Sequence, residues 1–151
     1  MEDSTNRKIL AALQHDARQT VQQIAQSVGL STTPCWKRIK DLEQRGVIAG
    51  YTVRVDRHLL GLDLMVLAEV NLAQHTEKAV AEFEAAVAST PQIVRCYSTT
   101  GQADYVLTIV ARDVTQYEQF LSRTVFKLPA VAHVRSSIVL REVKAAETLP
   151  V

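Results

Sequence analysis

The chain has 151 residues, of which 47% are hydrophobic, and its 17 Lys and Arg against 16 Asp and Glu leave a formal net charge of +1. This length suits one ordinary domain or two small ones, and a net charge near zero argues against a protein that coats DNA without specificity. The two cysteines, Cys35 and Cys96, make neither a disulfide framework nor a metal-ligand cluster, which is typical of a reducing compartment. Because the first residues are acidic and polar and no apolar run approaches about 20 residues, we predict a cytoplasmic protein without signal peptide or membrane span.

Charge is distributed unequally along the chain. Residues 1–60 hold nine Lys and Arg against six Asp and Glu, a net +3, whereas residues 61–151 hold eight against ten, a net −2. An excess of positive charge in one half is typical of a surface that faces nucleic acid. We therefore expect the N-terminal part to bind nucleic acid and the C-terminal part to serve another purpose.

Three short helices are predicted in the first 45 residues. The first covers residues 7–14 and can pack its apolar face over the other two. The second begins with a capping box of Thr20 and Gln23 and ends at Gly29, which can adopt the left-handed conformation that terminates a helix. The apolar residues of these two helices are Ile9, Leu10 and Leu13, then Val21, Ile24, Ala25 and Val28.

The third helix follows after a connection short enough for a helix-turn-helix. We predict that Thr33 caps it and that Pro34 occupies its first helical position, where a missing N–H costs nothing. Cys35, Ile39 and Leu42 then form its buried stripe. Two short helices joined by a tight turn, the second of them basic, indicate a DNA-reading module.

The exposed face of the third helix is the predicted DNA-reading surface. Hydroxyl groups and a helix N-terminus suit phosphates, while lysine and arginine reach phosphates or guanine edges in the major groove. A solvated basic helix is the alternative, and the preceding capped helix and the tight turn favour DNA. Trp36 either stacks on DNA or packs against its own domain. The predicted DNA-binding residues are Ser31, Thr32, Thr33, Trp36, Lys37, Arg38 and Lys40.

Beyond Gly46 the pattern changes from helical to extended. Tyr51, Val53 and Val55 alternate with polar residues and predict a strand that leads away from the helices. We therefore divide the chain into a helix-turn-helix domain at 1–50, a strand and hinge linker at 51–61, and a second domain at 62–151.

The second domain reads strand, helix, strand, strand, helix, strand. This order is typical of the ferredoxin-like βαββαβ fold of RAM or ACT type, an α+β arrangement with both helices on one face of an antiparallel sheet. The predicted strands are 64–72, 93–98, 105–111 and 133–143. The first helix is capped by Thr76 and buries Val80, Phe83 and Val87, and the second starts with a capping box of Asp113 and Gln116 and buries Val114, Tyr117, Leu121 and Thr124.

Apolar residues alternate on both faces of these strands. Met65 and Leu67 oppose Leu64 and Val66, so a sheet covered by helices on one face only would leave one apolar set in water. We therefore predict a homodimer formed by sheet-to-sheet packing. A twofold protein suits a pseudo-palindromic DNA site.

Short segments along nearly the whole chain resemble the Lrp/AsnC family, the leucine-responsive and asparagine-responsive bacterial regulators. These segments are Ile9-Leu10 through Leu13, Val28 to Ser31, Thr33 to Cys35, Arg38-Ile39, Leu42-Glu43, Gly46 to Ile48, Gly50-Tyr51, Gly101 with Asp104-Tyr105, and Leu128-Pro129 before Val131. The runs Thr33 to Arg38 and Glu147 to Pro150 look like a branch that includes a cysteine-responsive activator and leucine- or methionine-responsive regulators.

The resemblance implies a winged helix-turn-helix, a C-terminal domain that binds a small amino acid, and homodimers that assemble into tetramers or octamers. It also implies control of genes for amino-acid metabolism or transport, with no cofactor other than the amino-acid effector and no metal. Three positions depart from the family pattern: Glu2, Asn6 and Gln102 stand where Leu, Asp and Asp are usual. The change at Gln102 leaves the identity of the effector open.

An effector site is predicted at the turn between the second and third strands. A free amino acid needs an anion for its ammonium and N–H or hydroxyl groups for its carboxylate. Backbone N–H groups of Thr99, Thr100 and Gly101 suit the carboxylate, and Asp104 suits the ammonium. Hydroxyls of Ser98, Ser136 and Ser137 are further candidates if the sheet brings them near. A plain hairpin turn with a solvated aspartate is the alternative, which the resemblance disfavours.

Two other classes of function compete with a regulator. Haem-pathway decarboxylases resemble this family, although the four histidines lack paired spacing and His133 alone lies in a predicted strand. An RNA-binding split βαβ domain would need exposed aromatics and a basic sheet, against which the net −2 of the second domain argues.

Overall fold

The computed structural model describes residues 3–144 and 148–151, which fall into two compact units. The N-terminal unit is Met1–Arg54 with Lys144–Val151, and the C-terminal unit is Val55–Val143. The described elements are α1 (Ser4–His15), α2 (Val21–Val28), α3 (Thr32–Gln44), β1 (Leu64–Leu72), α4 (Glu77–Ala88), β2 (Ile93–Ser98), β3 (Tyr105–Ala111), α5 (Val114–Arg123), a 3-10 turn (Val125–Lys127) and β4 (Val131–Ile138). None of the described helices is long and apolar enough to cross a membrane.

Side-chain caps fix the first two helices. Asp3 caps α1 by accepting the Asn6 N–H at 2.7 Å. The reciprocal capping box of Thr20 and Gln23 at α2 is confirmed, as is the left-handed Gly29 at its end, with φ of 75°. The turn between α2 and α3 is therefore set by local chemistry.

The predicted start of α3 was wrong by two residues. Ser31 is the N-cap, although its hydroxyl makes no capping bond, and Thr33 and Pro34 occupy the second and third helical positions. Any of the first four helical N–H groups lacks an intrahelical acceptor, so proline is compatible with several positions in the first turn and does not mark the first.

A small apolar core closes the N-terminal unit. The predicted stripe of α3 is confirmed, since Cys35 and Leu42 are fully buried and Ile39 nearly so. These side chains pack with Ile9 of α1 and Ile24 of α2. Three helices thus share one core, which leaves the opposite face of α3 in solvent.

The strand predicted at 51–55 does not form in the described chain, where residues 51–56 carry no regular structure. Tyr51, Val53 and Val55 are 54%, 81% and 62% exposed. Alternation predicts a strand only if a neighbouring strand supplies hydrogen bonds, and no strand of the described chain pairs with this segment.

The C-terminal unit has the predicted ferredoxin-like arrangement. Its sheet has the order β2-β3-β1-β4 with every neighbouring pair antiparallel. Helices α4 and α5 cover one face, where Phe83 and Tyr117 pack among strand residues such as Val66 and Leu107. The Phe83 and Tyr105 rings lie 4.7 Å apart between centroids, which joins α4 to β3.

Three details of the C-terminal unit differ from the sequence prediction. Val114 is 56% exposed, and Phe120 is buried in α5 instead. Asp113 caps α5, but the Gln116 side chain accepts from the Arg112 N–H and so does not close a capping box. Strand β4 covers Val131–Ile138 rather than 133–143 because β1 offers register partners only as far as Ile138.

Candidate DNA-reading surface and effector pocket

The exposed face of α3 carries the residues predicted to meet DNA. Ser31, Thr32 and Thr33 are exposed at its N-terminal end, where the Ser31 hydroxyl is not used for capping. Hydroxyls at a helix N-terminus suit phosphate oxygens. Trp36 is 49% exposed, so the structure gives its ring a free surface for stacking.

The two lysines of this face differ in their partners. Lys37 is exposed and has no hydrogen bond or ion pair within residues 3–144 and 148–151. Lys40 lies 2.6 Å from the Glu43 carboxylate, which also accepts from the Tyr51 hydroxyl at 3.0 Å. These contacts, Lys40 first and Tyr51 second, lower the pKa of Glu43 below its ordinary value. Of the two lysines, Lys37 is therefore the one whose ammonium has no partner among the described residues.

Arg38, although predicted as a DNA contact, turns toward α1. Its Nη1 donates to Asp3 at 2.7 Å and to Asn6 at 2.8 Å. The Asn6 N–H bond and then the Arg38 contact lower the pKa of Asp3. The structure thus separates Arg38 from the lysines with which the sequence grouped it.

The predicted effector turn is tied together from within. The Thr99 N–H donates to the Asp104 carbonyl at 2.9 Å, and the Thr99 hydroxyl donates to the Ala103 carbonyl at 2.5 Å. Thr100 and Gly101 are exposed, and in the described chain their N–H groups have no acceptor. The turn therefore presents two adjacent donors to solvent.

Asp104 has contacts within the chain that the sequence did not predict. Its Oδ2 accepts from the Leu72 N–H at 2.8 Å and lies 3.0 Å from Nε2 of His75. The Leu72 bond, followed by the His75 contact, lowers the pKa of Asp104. Its Oδ1 has no partner among the described residues, so one carboxylate oxygen is available to a ligand ammonium.

The three predicted serines do not gather around the turn within one chain. Ser98 ends β2 at one edge of the sheet, whereas Ser136 and Ser137 lie in β4 at the other edge. With two strands between them, the edges are about 14 Å apart. The Ser136 hydroxyl is also hydrogen bonded to Tyr117 at 2.6 Å, on the helix-covered face. The expectation that the hydroxyls lie near the turn was therefore wrong for Ser136 and Ser137 within one chain, whereas Ser98 directly precedes the turn.

A polar depression of about 320 Å³ lies beside the turn on the sheet face that the helices leave open. Glu69 and Arg135 stand 3.6 Å apart in its lining. Asn71 donates to the Gln102 carbonyl at 2.7 Å and so fastens the turn to β1. The lining residues are Glu69, Asn71, Gln102, His133, Val134 and Arg135. Sequence reasoning missed this group because strand register, not local pattern, brings it together.

Family models match both units of the chain. The model described as the Lrp/AsnC ligand binding domain matches residues 65–149, more than half of the chain, and one described as winged helix-turn-helix DNA-binding matches residues 2–49.

The chain belongs to the Lrp/AsnC family.

The chain is similar over nearly its full length to transcriptional regulators of the Lrp/AsnC family. A Bkd operon transcriptional regulator of Pseudomonas aeruginosa is 36% identical over 98% of this chain and 97% of its own. The leucine-responsive regulatory protein of Escherichia coli is 35% identical over 97% of this chain and 90% of its own. A transcriptional regulator of Neisseria meningitidis, solved in complex with L-methionine, superposes with a TM-score of 0.95 at 31% identity, covering 99% of this chain and 97% of that one. This Lrp/AsnC chain is a DNA-binding transcriptional regulator and not an enzyme.

Proposed function

We propose that this regulator binds specific DNA sequences under the control of a small amino acid of the leucine, methionine or cysteine type, and that it controls genes of amino-acid metabolism or transport. The proposal of an amino-acid effector rests on the turn between β2 and β3. This turn presents exposed N–H groups at Thr100 and Gly101 and a free carboxylate oxygen at Asp104. Two donors and one anion are complementary to a carboxylate and an ammonium. The L-methionine complex of a relative supports this class of ligand.

The effector is proposed to bind with its carboxylate on the N–H groups of Thr100 and Gly101 and its ammonium on Asp104. The Thr99 N–H, which the sequence also suggested for the carboxylate, is already bonded to the Asp104 carbonyl. Because Ser136 and Ser137 lie at the far edge of the same sheet, they would join such a site only from another copy of the chain. Ser98 is exposed one residue before the turn and belongs to the chain that provides Asp104. An effector pocket shared between copies would couple ligand binding to assembly, and by linkage to DNA binding.

The test is DNA binding by the purified full chain at fixed salt with each amino acid added in turn. One amino acid should change the affinity, and Asp104→Asn should weaken its binding by about tenfold or more, since hydrogen bonds to a charged group are involved. Asp63→Asn is the matched control, because Asp63 also pairs with a histidine, at 2.6 Å, away from the turn. If folded Asp104→Asn protein loses its unliganded DNA binding, the division of labour between the two units is contradicted.

The assembly is proposed to begin with a homodimer that packs the open sheet faces together. Met65, Val106 and Val110 are half-buried on this face, and Leu67 is 41% exposed in the central strand β1. Leu67→Lys should convert dimers to monomers in light scattering after size exclusion. Val114→Lys, which changes an exposed apolar residue of α5, should leave the mass unchanged. Equal masses for both variants and wild type would refute the sheet-face dimer.

We propose different roles for the two units of the chain and for the segment between them. Residues 1–50 read DNA, 51–61 link, and 62–151 bind effector and form the homodimer and its tetramer or octamer. On α3 we assign the DNA contacts to Ser31, Thr32, Thr33, Trp36, Lys37 and Lys40, whereas the Arg38 guanidinium is bonded to Asp3 and Asn6. We propose that the protein acts in the cytoplasm and needs no cofactor other than the amino-acid effector.

A further inference from the structure

Arg38 lies on the inner side of the reading helix. It follows Cys35 by three positions and precedes Leu42 by four, and residues at those spacings are neighbours on a helix surface. Cys35 and Leu42 are both fully buried, and the Arg38 side chain is only 37% exposed. Lys37 and Lys40 are exposed on the other side. The position of Arg38 on α3 therefore directs its stem toward the three-helix core.

A single nitrogen of Arg38 joins α3 to the first turn of α1. Nη1 donates to Asp3 Oδ2 at 2.7 Å and to Asn6 Oδ1 at 2.8 Å. The other oxygen of Asp3 accepts the Asn6 N–H at 2.7 Å and so caps α1. Asn6 is 6% exposed, the one buried polar residue among those described. The same aspartate thus starts α1 and holds α3.

We propose that Arg38 is a positioning residue, and that Asp3, Asn6 and Arg38 form a brace that fixes the rotation of α3 against α1 so that its outer face meets DNA. This inference rests on DNA binding by α3. A rotation of α3 by about 20° moves a side-chain atom about 6 Å from the helix axis by about 2 Å. That displacement is enough to break a hydrogen bond to phosphate or base. The brace would prevent such a rotation.

The substitution Asp3→Asn should change DNA affinity in opposite directions, depending on whether Arg38 forms the brace or contacts DNA directly. Asp3→Asn retains an oxygen that caps α1, because asparagine caps as well as aspartate does, but it places an amide where Arg38 needs an acceptor. If Arg38 contacted DNA, removing the competing carboxylate would free the guanidinium and tighten binding. If Arg38 braces α3, the same change loosens the helix and weakens binding.

The experiment compares Asp3→Asn with Asp41→Asn, which removes an equal charge from the same unit by breaking the exposed pair with Arg45 at 2.8 Å. The probe is a duplex that the wild-type full chain selects from a random library, with affinity measured across a range of salt. We expect Asp3→Asn to bind about three- to tenfold more weakly than Asp41→Asn. Arg38→Ala should be weaker as well, with the salt dependence of wild type. Equal or tighter binding by Asp3→Asn overturns the brace, as does a salt slope lower by about 0.9 per protomer in Arg38→Ala.

A measurement without DNA separates failure of the brace from failure of DNA binding. In thermal unfolding, the double variant Asp3→Asn/Arg38→Ala should be no less stable than Arg38→Ala alone, because Arg38→Ala already removes the contact between Arg38 and Asp3. Additive losses would show that the two residues act independently and would overturn the brace whatever the DNA result.

Discussion

Replacing Lys37 by alanine removes the cation of α3 that has no partner among the described residues. On duplex DNA, removal of one phosphate contact lowers the slope of log affinity against log salt by about 0.9. The proposed twofold dimer carries two copies of Lys37, so the slope should fall by about 1.8. When the salt concentration is raised fourfold, the affinity of the variant should therefore fall by a factor about 12-fold smaller than the factor by which the wild-type affinity falls. Lys37→Ala should therefore bind more weakly at low salt and be less sensitive to salt addition.

Lys40→Ala is the comparison variant, because it removes a lysine of the same helix face that already has a partner. Lys40 is already paired with Glu43 at 2.6 Å, so its ammonium must leave that carboxylate before it meets phosphate. We expect weaker binding for this variant too, but a smaller change in slope than for Lys37→Ala. Fluorescence anisotropy with one labelled duplex at several salt concentrations measures both slopes. An unchanged slope for Lys37→Ala would refute phosphate contact by this residue, and a larger change for Lys40→Ala would refute the assignment based on pairing.

Three further predictions concern the fold. Phe83→Ala empties a fully buried site beside Tyr105 and should lower the free energy of unfolding by about 3–5 kcal/mol. Denaturant titration measures this loss, and a value below about 1 kcal/mol would mean that the site collapses or is not part of the core. Gly29→Ala meets no atom within 4 Å, so only its φ of 75° opposes it, and thermal melts should show a loss of about 1 kcal/mol. Burial, followed by the bond to Glu84, raises the pKa of Tyr105 from 10 to about 12. This contribution to stability is present below pH 10 and is lost as pH rises toward 12, so Tyr105→Phe should flatten the stability decline in that range.

Local signals predicted most of the helices and strands. Thr20 and Thr76 cap helices as expected because a cap depends on residues only three positions apart. The alternation of Leu64 to Leu72 predicted β1 because its even-numbered residues bury against helices while the odd ones face outward. A single sequence is sufficient to predict a helix or strand when the spacing of its residues alone determines the hydrogen-bond partners and the buried face.

The errors occur where structure depends on a distant partner. Tyr51, Val53 and Val55 have the pattern of a strand, but a strand needs a neighbour that the described chain does not provide. The end of β4 follows from its register with β1, and no local signal marks Ile138. At the predicted effector turn, Leu72 and His75 contact Asp104 from 32 and 29 residues away in the sequence. Their role emerges only when register places β1 beside the turn.

Engagement of Asp104 with its own chain supplies a physical route for an effector signal. The carboxylate that is proposed to receive the ligand ammonium also anchors the turn to β1 through the Leu72 N–H and to His75 just before α4. A ligand that draws the carboxylate toward itself weakens those anchors, while a ligand that accepts the existing geometry leaves them intact. Effectors of equal affinity can therefore differ in the shift they impose on the turn, because only a difference in contacts between two states moves an equilibrium. Under the proposed binding mode, the side chain of each amino acid sets where its ammonium lies relative to Asp104, so that position should select the regulating amino acid as much as the fit of the side chain does.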